Sequence, residues 1–226
     1  MVTHRNLAVR SSLTAIGAIA LLTSAALPAA QEKDAKPPEP KPKSEDAKPQ
    51  EAKPAELGKP APGFELKTID GKTVKLDDYK GKTVVIEWFN PACPFCVFAY
   101  GENGPLKTMP EDLTARGVVW LSIVSENPAN PGGKVENIKK FVDEHKMKAP
   151  MLLDPDGKIG KLYGAKSTPH VFVISVKGLL VYRGALDNGP FGNFPNDEAR
   201  VNYVTAALTD LTGGHAVTKS DSKPYG

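Results

Sequence analysis

The chain has 226 residues and a formal net charge of +3, and 40% of its residues are hydrophobic. A charge this close to zero excludes a protein that holds nucleic acid through a strongly basic surface. The only two cysteines, Cys93 and Cys96, lie far from the first residues, so we expect no lipidated cysteine at the N-terminus.

Residues 1–30 have the layout of a secretory signal. A short head with two arginines precedes a mostly apolar run over 13–27, and small residues follow it. Thr, Ser and Gly interrupt the run, which favours a cleaved signal over a membrane-spanning helix. An uncleaved anchor is the alternative, because Leu27 or Pro28 falls where a small residue usually precedes the cleavage site. We therefore expect secretion across the inner membrane to a periplasmic or extracellular location, where disulfides persist.

The segment 31–60 is composed mainly of Pro, Lys, Glu, Asp and Ala. Such a segment buries too little apolar surface to offset the entropy lost on ordering, and its prolines favour extended conformations. We expect it to be a disordered linker. It would join the signal to a folded domain over 61–214, which a flexible tail over 215–226 would follow.

The domain alternates strand and helix patterns along the chain. Alternating apolar and polar residues around Asp70-Gly71 predict an N-terminal β-hairpin. Dense apolar runs predict buried strands, and apolar residues three and four apart predict helices. The later predicted elements are a strand over 82–89, a helix starting at the cysteines, a strand over 118–124, a helix over 134–148, a short strand and turn over 149–157, a helix over 158–166, two strands over 170–185 that turn at Lys177-Gly178, and a final helix capped by Asn196 and stopped by Gly213.

This alternation of strands and helices predicts an α/β fold. We expect a largely parallel central sheet with helices on both faces and an antiparallel hairpin near the end. Gly101, Gly104 and Pro105 should break the helix that follows the cysteines.

The two cysteines stand where a buried strand ends and a helix begins. Pro94 follows Cys93 in the first helical turn, where proline is well tolerated. Free N–H groups and the positive end of the helix dipole stabilise a thiolate there, and lower a cysteine pKa from about 8.5 to roughly 3.5–7.5. Cys96 lies one turn further and can close a ring with Cys93. We predict that Cys93 is a nucleophile and that Cys96 is the resolving thiol.

The sequence resembles the thioredoxin-like redoxins, a group that includes exported thiol-disulfide oxidoreductases and the alkyl hydroperoxide reductase and peroxiredoxin relatives. The resemblance covers 63–211 and is carried by Cys93-Pro94-Phe95-Cys96 together with Thr168-Pro169. It implies a thioredoxin-like fold, with a central mixed sheet flanked by helices, and no cofactor. It also implies a cis peptide bond before Pro169, which would lie against the cysteines, and a Thr168 backbone that binds the substrate chain.

Glu87 lies six residues before Cys93, where thioredoxin carries a buried Asp that relays protons to the second cysteine. A carboxyl group buried in an apolar strand has a raised pKa, which suits general acid-base catalysis. The resemblance thus implies a proton-relay role for Glu87. The alternative is a Glu87 side chain that turns to solvent or pairs with a lysine.

Three functions remain open at this point. The first is an exported thiol-disulfide oxidoreductase, with protein disulfides as substrates and a thiol reductant or oxidant as its other partner. The second is a hydroperoxide reductase with Cys93 peroxidatic, although Asn90 and Ile86 stand where peroxiredoxins carry Thr and Pro. The third is a copper carrier using Cys93, Cys96 and His170. The spacing disfavours a purely structural disulfide, because so short a loop restricts the unfolded chain very little.

Overall fold

The structure is a computed structural model, and it describes residues 53–195 and 199–226. The predicted signal at 1–30 and the predicted linker as far as residue 52 lie outside the described residues. Within the described ranges, no helix combines the length and the apolar character needed to cross a membrane.

The end of the predicted linker packs on the domain. Ala55 is buried, and its N–H donates to the carbonyl of Leu162 at 2.9 Å. Leu57 packs against the same apolar cluster as Ala55. The folded part therefore begins by Ala55, before the predicted boundary at residue 61, because these apolar side chains interrupt the charged composition.

Among the described residues, one seven-stranded sheet forms the centre of the domain; with its strands numbered in chain order, their order in the sheet is β2-β1-β5-β4-β3-β6-β7. The neighbours β3, β4 and β5 are parallel, and every other pairing is antiparallel. Only two of the six pairings are parallel, so the expectation of a largely parallel sheet is wrong. The mixed sheet that the resemblance implies is confirmed, with its parallel strands at the centre. Its strands are β1 (Glu65–Thr68), β2 (Thr73–Lys75), β3 (Val84–Trp88), β4 (Val119–Val124), β5 (Met151–Leu153), β6 (His170–Ile174) and β7 (Leu180–Gly184).

Five α-helices accompany the sheet in the described part of the chain. They are α1 (Pro94–Tyr100), α2 (Met109–Ala115), α3 (Val135–Glu144), α4 (Lys158–Tyr163) and α5 (Tyr203–Thr212). The predicted break after the cysteine helix is confirmed. Gly104 lies between α1 and α2, and a Cβ atom there would collide with the carbonyl oxygens of Phe98 and Ala99.

The predicted start of the last helix is wrong. Residues 199–202 are not helical, and α5 begins at Tyr203, with Asn202 rather than Asn196 as its cap. The Asn202 side chain accepts a hydrogen bond from Thr205 N at 2.8 Å, which satisfies one free N–H of the first turn. Asn196 itself lies outside the described residues.

Strand β3 is buried along its whole length and divides the core. Because side chains alternate across a strand, Val85 and Phe89 join the apolar cluster that includes α1 and α3, whereas Ile86 and Trp88 join the cluster that includes α4. By the same alternation, Glu87 points to the face of the sheet that carries α1. This places a carboxyl group beneath the helix that begins at the cysteines.

Candidate active site

A short turn brings the chain from β3 to the cysteines. The N–H of Cys93 donates to Asn90 O at 3.1 Å, and the Asn90 side chain accepts from Ala92 N at 2.8 Å. Cys93 has an extended backbone as the residue that caps α1, and Pro94 occupies the first turn. Cys93 is half-buried and Cys96 is buried, and both are free thiols. The first cysteine is therefore accessible and the second is shielded, as the sequence predicts.

The pKa of Cys93 is lowered from 9.0 to about 5. The largest cause is the hydrogen bond from the Cys96 thiol, which stabilises the Cys93 thiolate. The Thr168 side chain and the backbone N–H groups of Phe95 and Cys96 act in the same direction, and partial burial opposes them. Cys93 is therefore mostly a thiolate at neutral pH.

The pKa of Cys96 moves the opposite way and lies well above its ordinary value. Burial is the main cause, followed by the hydrogen bond to Cys93 and by the negative charge of Glu87. The two sulfurs thus differ sharply in acidity, although they lie one helical turn apart. Cys96 keeps its proton until a base removes it.

Glu87 is fully buried, which excludes the alternative that it turns to solvent. Its Oε2 accepts from Tyr100 OH at 2.5 Å, from Ser122 Oγ at 3.2 Å and from Trp120 Nε1 at 3.3 Å. Among the described residues, Oε1 has no hydrogen-bond partner. Burial raises the pKa of Glu87 from 4.5 to about 7, and the three hydrogen bonds limit the rise.

The three donors to Glu87 come from two elements that the chain brings together. The parallel register pairs Glu87 with Ser122 of β4, and Trp120 lies two residues earlier on the same face. Tyr100 is the last residue of α1. None of these three donors is among the site residues predicted from the sequence. The alternating pattern of β4 was the one available signal, because it puts residues 120 and 122 on one face.

Thr168 and Pro169 lie against the reactive cysteine. The peptide bond between them is cis, as the resemblance implies. Cys93 Sγ lies 2.9 Å from Thr168 O and donates its thiol hydrogen to that carbonyl when protonated. The structure therefore brings together four of the predicted site residues, Cys93, Cys96, Thr168 and Pro169, with Glu87 beneath them.

His170 does not complete a metal site. It is buried at the start of β6, and its Nδ1 accepts from Lys166 N at 3.2 Å. Burial lowers the pKa of His170 to about 4, and the charges of Lys166 and Arg183 add to this effect. Within residues 53–195 and 199–226, no three His, Cys, Asp or Glu side chains are grouped to hold a metal ion. The three ligands of the copper-carrier alternative, Cys93, Cys96 and His170, are therefore not grouped as a metal site among the described residues.

Aromatic side chains line one side of the cysteine pair. Phe95, between the cysteines, stacks on Phe191 at 4.2 Å between ring centroids, and Phe98 meets Phe191 edge-on at 5.7 Å. Phe191 is 42% exposed. The Tyr225 ring lies 5.9 Å from Phe95. The segment predicted to be a tail thus reaches the active site.

Residues 57–183 match the model of the AhpC/TSA family, which is more than half of the chain. The chain belongs to this family. A similar relative is the thiol-disulfide oxidoreductase ResA of Bacillus thuringiensis subsp. konkukian. The two are 27% identical over 126 residues, covering 56% of this chain and 68% of ResA.

Two solved structures resemble the domain closely. One is an uncharacterized conserved protein from Geobacillus kaustophilus, with 31% identity, a TM-score of 0.63 and coverage of 75% of this chain and 87% of that one. The other is a hypothetical protein from Sinorhizobium meliloti 1021, with a TM-score of 0.67 at 24% identity and coverage of 77% and 94%. The second supports the fold alone. The chain is thus an oxidoreductase with a thioredoxin-like fold.

Proposed function

We propose that the protein is an exported thiol-disulfide oxidoreductase that exchanges disulfides with partner proteins through Cys93 and Cys96. The observation that carries this proposal is the contrast between the two sulfurs. Cys93 is accessible and has a pKa near 5, whereas Cys96 is buried and has a raised pKa. An accessible thiolate attacks a disulfide, and a shielded thiol waits to resolve the product.

In the reducing direction, the Cys93 thiolate attacks one sulfur of a partner disulfide. The partner's S–S bond breaks, its other sulfur leaves as a thiolate, and a mixed disulfide joins Cys93 to the partner. Cys96 then loses its proton and attacks Cys93 Sγ. A Cys93–Cys96 disulfide forms as the mixed disulfide breaks, and the partner leaves as a dithiol after its thiolates take up protons. The cysteine pair has thereby supplied the two electrons that reduce the partner. The reverse sequence oxidises a partner dithiol, and relative redox potentials set the direction.

Glu87 is the group that we propose accepts the proton of Cys96. A pKa of about 7 allows a carboxylate to take up and release a proton at neutral pH. Its charge also raises the pKa of Cys96, so the two groups interact. The unpartnered Oε1 provides an acceptor that no neighbouring described side chain occupies.

Thr168 and Pro169 are proposed to bind the partner chain. Thr168 O lies within 2.9 Å of Cys93 Sγ, so a chain paired with this backbone would hold its disulfide close to the nucleophile. Proximity of this kind supplies much of the rate of a bimolecular exchange. Export is supported by the composition of residues 1–30 and by the persistence of disulfides outside the cytosol.

The test is trapping. A Cys96→Ala variant should accumulate a mixed disulfide with a disulfide substrate such as insulin, because nothing resolves it. A Cys93→Ala variant should form none and should not reduce insulin. Wild-type protein that leaves insulin oxidised, together with a Cys96→Ala variant that traps no partner, would overturn the proposal.

Reduction of hydroperoxides is the second candidate, and membership of the AhpC/TSA family together with the acidic Cys93 favours it. Cys93 would attack the peroxide oxygen, become a sulfenic acid and release water or an alcohol, and Cys96 would then form the disulfide and release a second water. Stopped-flow mixing of reduced protein with peroxide separates the two. Loss of the Cys93 thiol no faster than that of an ordinary thiolate would leave disulfide exchange alone.

A further inference from the structure

The segment Ser220–Gly226, here called the strap, adds to the edge of the sheet beside the active site. Strand β7 is the last strand of the sheet order. Its Arg183 N–H donates to Ser220 O at 3.0 Å, and Ser222 N–H donates to Arg183 O at 3.1 Å. The Arg183 guanidinium also binds Asp221 Oδ2 through two nitrogens, at 2.9 and 3.1 Å. The strap is therefore held as an extended chain along β7.

Close packing fixes the register of the strap. Ser222 Oγ accepts from Ala185 N at 2.9 Å and lies 2.8 Å from Tyr182 OH. A Cβ atom on Gly184 would collide with Ser222, and Gly184 has a φ of 146°, which favours glycine. The contacts with Tyr182, Gly184 and Ala185 thus fix the position of Ser222 on β7.

The far end of the strap reaches the groups that the proposed function assigns to partner binding. Tyr225 OH donates to Asp187 Oδ1 at 2.5 Å, and its ring lies against Phe95. A Cβ atom on Gly226 would collide with Thr168 O. This is the carbonyl that Cys93 Sγ contacts. A partner chain cannot pair with Thr168 while Gly226 lies there.

The contacts that hold the strap are replaceable. Asp187 also accepts from Gly189 N at 3.0 Å and lies 3.5 Å from Arg200, so its buried carboxylate keeps partners after Tyr225 leaves. The ion pair between Arg183 and Asp221 is partly exposed and contributes little stability. A competing chain can therefore displace the strap without leaving a buried charge unpaired.

We infer that the strap occupies the partner-binding surface as an intramolecular substitute for the partner chain, and that a partner must displace it to reach Cys93. The inference rests on the proposed function for the role of Thr168. The strap then competes with the partner for the same surface. The exchange rate falls in proportion to the fraction of molecules whose surface the strap covers.

The test compares full-length reduced proteins that differ only in the strap. Tyr225→Ala removes the anchor beside the cysteines, and Asp221→Asn weakens the anchor on β7 at an exposed position. Lys223→Ala, an exposed position in the same segment, is the matched control. Thermal unfolding of each variant checks that the domain is intact. The probes are iodoacetamide, which is small, and a maleimide carried on a short peptide, which needs the partner surface.

Tyr225→Ala should react faster than wild type with the peptide maleimide, by up to about tenfold if the strap covers the surface in about nine molecules of ten. Asp221→Asn should also react faster, by a smaller factor, because the ion pair that it removes is partly exposed. Iodoacetamide rates should change much less, and Lys223→Ala should match wild type with both probes. Equal or lower peptide-maleimide rates in both strap variants would overturn the inference. If the two strap variants also match wild type in reducing insulin, the inference about the strap is wrong and the proposed function stands. Faster maleimide reaction, with no insulin reduction by any of these proteins and no partner trapped by Cys96→Ala, would instead retain the inference about the strap and overturn the proposed function.

Discussion

The two faces of the sheet each bury a carboxylate, and the two differ in how their oxygens are satisfied. Asp154 is 1% exposed on the face that carries α4. Its oxygens accept from Ser125 Oγ, from Ile159 N at 3.2 Å and from Gly160 N at 2.9 Å. Glu87, on the face that carries α1, receives three donors on Oε2 and none from the described residues on Oε1.

This difference separates a structural carboxylate from a reactive one. Both oxygens of Asp154 bind N–H groups at the start of α4, so the charge stabilises the helix terminus. The donors to Glu87 are two hydroxyl groups and an indole, and one of its oxygens stays available. A buried carboxylate with an available oxygen beside a high-pKa thiol is suited to proton transfer.

The largest expected effect is the pH dependence that Glu87 gives to the free energy of unfolding. Folding raises the pKa of Glu87 from 4.5 to about 7, so the folded protein keeps a proton that the unfolded chain releases, and this contribution to stability is lost as pH rises through that window. Glu87→Gln should therefore gain stability over wild type between pH 4.5 and 7, by on the order of 3 kcal/mol. Urea unfolding across this range measures the difference. The wild-type free energy of unfolding is subtracted from that of the variant at each pH. This subtraction removes the contributions of Cys93 and His170, whose lowered pKa values make stability rise with pH instead of fall. A stability difference between Glu87→Gln and wild type that does not change with pH would contradict the raised pKa of Glu87.

The next largest effect is on the rate at which Cys96 resolves the mixed disulfide. Glu87→Gln should slow the resolution of a preformed mixed disulfide by about 100-fold at neutral pH, equivalent to about 2.7 kcal/mol, because the proton acceptor for Cys96 is lost. Rapid-quench release of the partner measures this step. Asp154→Asn is the matched control and should stay within about twofold of wild type. Equal slowing in both variants would contradict a specific role of Glu87 in proton transfer from Cys96.

The complementary prediction concerns stability on the other face. Asp154→Asn should lower the free energy of unfolding by about 2 kcal/mol, because an amide nitrogen would replace one acceptor oxygen among three donors. Denaturant unfolding at neutral pH measures the loss. A change near zero would show that these contacts are not what holds α4 to the sheet.

The smallest predicted effect tests the donors to Glu87. The Tyr100 hydroxyl lowers the pKa of Glu87, so Tyr100→Phe should raise the midpoint of the pH profile of resolution by about half a unit, or about 0.7 kcal/mol. The control is Tyr163→Phe on the other face, whose hydroxyl donates to Pro62 O at 2.6 Å. Midpoints that move equally in the two variants would rule out a specific link between Tyr100 and Glu87.

Much of the site could be predicted because local patterns determine it. A buried strand followed by Cys93 and Pro94 places a sulfur at a helix start, and a carboxylate inside an apolar strand predicts the burial of Glu87. The hairpin at Asp70-Gly71 and the break after α1 follow from glycine and proline positions in the same way. These features require only neighbours in sequence.

The features that sequence analysis missed depend on residues far apart in the chain. Ser122 meets Glu87 only through the register of β3 with β4, which no local pattern specifies. The polar composition of the strap favours a loose tail, yet Ser222 fits beside Gly184 because of packing between distant segments. Asn202 caps α5 in place of Asn196, since several polar residues compete there and tertiary contacts select one.

The strap also has a consequence for association between copies of the protein. It covers the backbone N–H and carbonyl of Arg183 on an edge strand, and such unpaired groups otherwise recruit strands from other molecules. Each displacement by a partner briefly uncovers that edge, so the return of Ser220 to β7 protects the chain against aggregation.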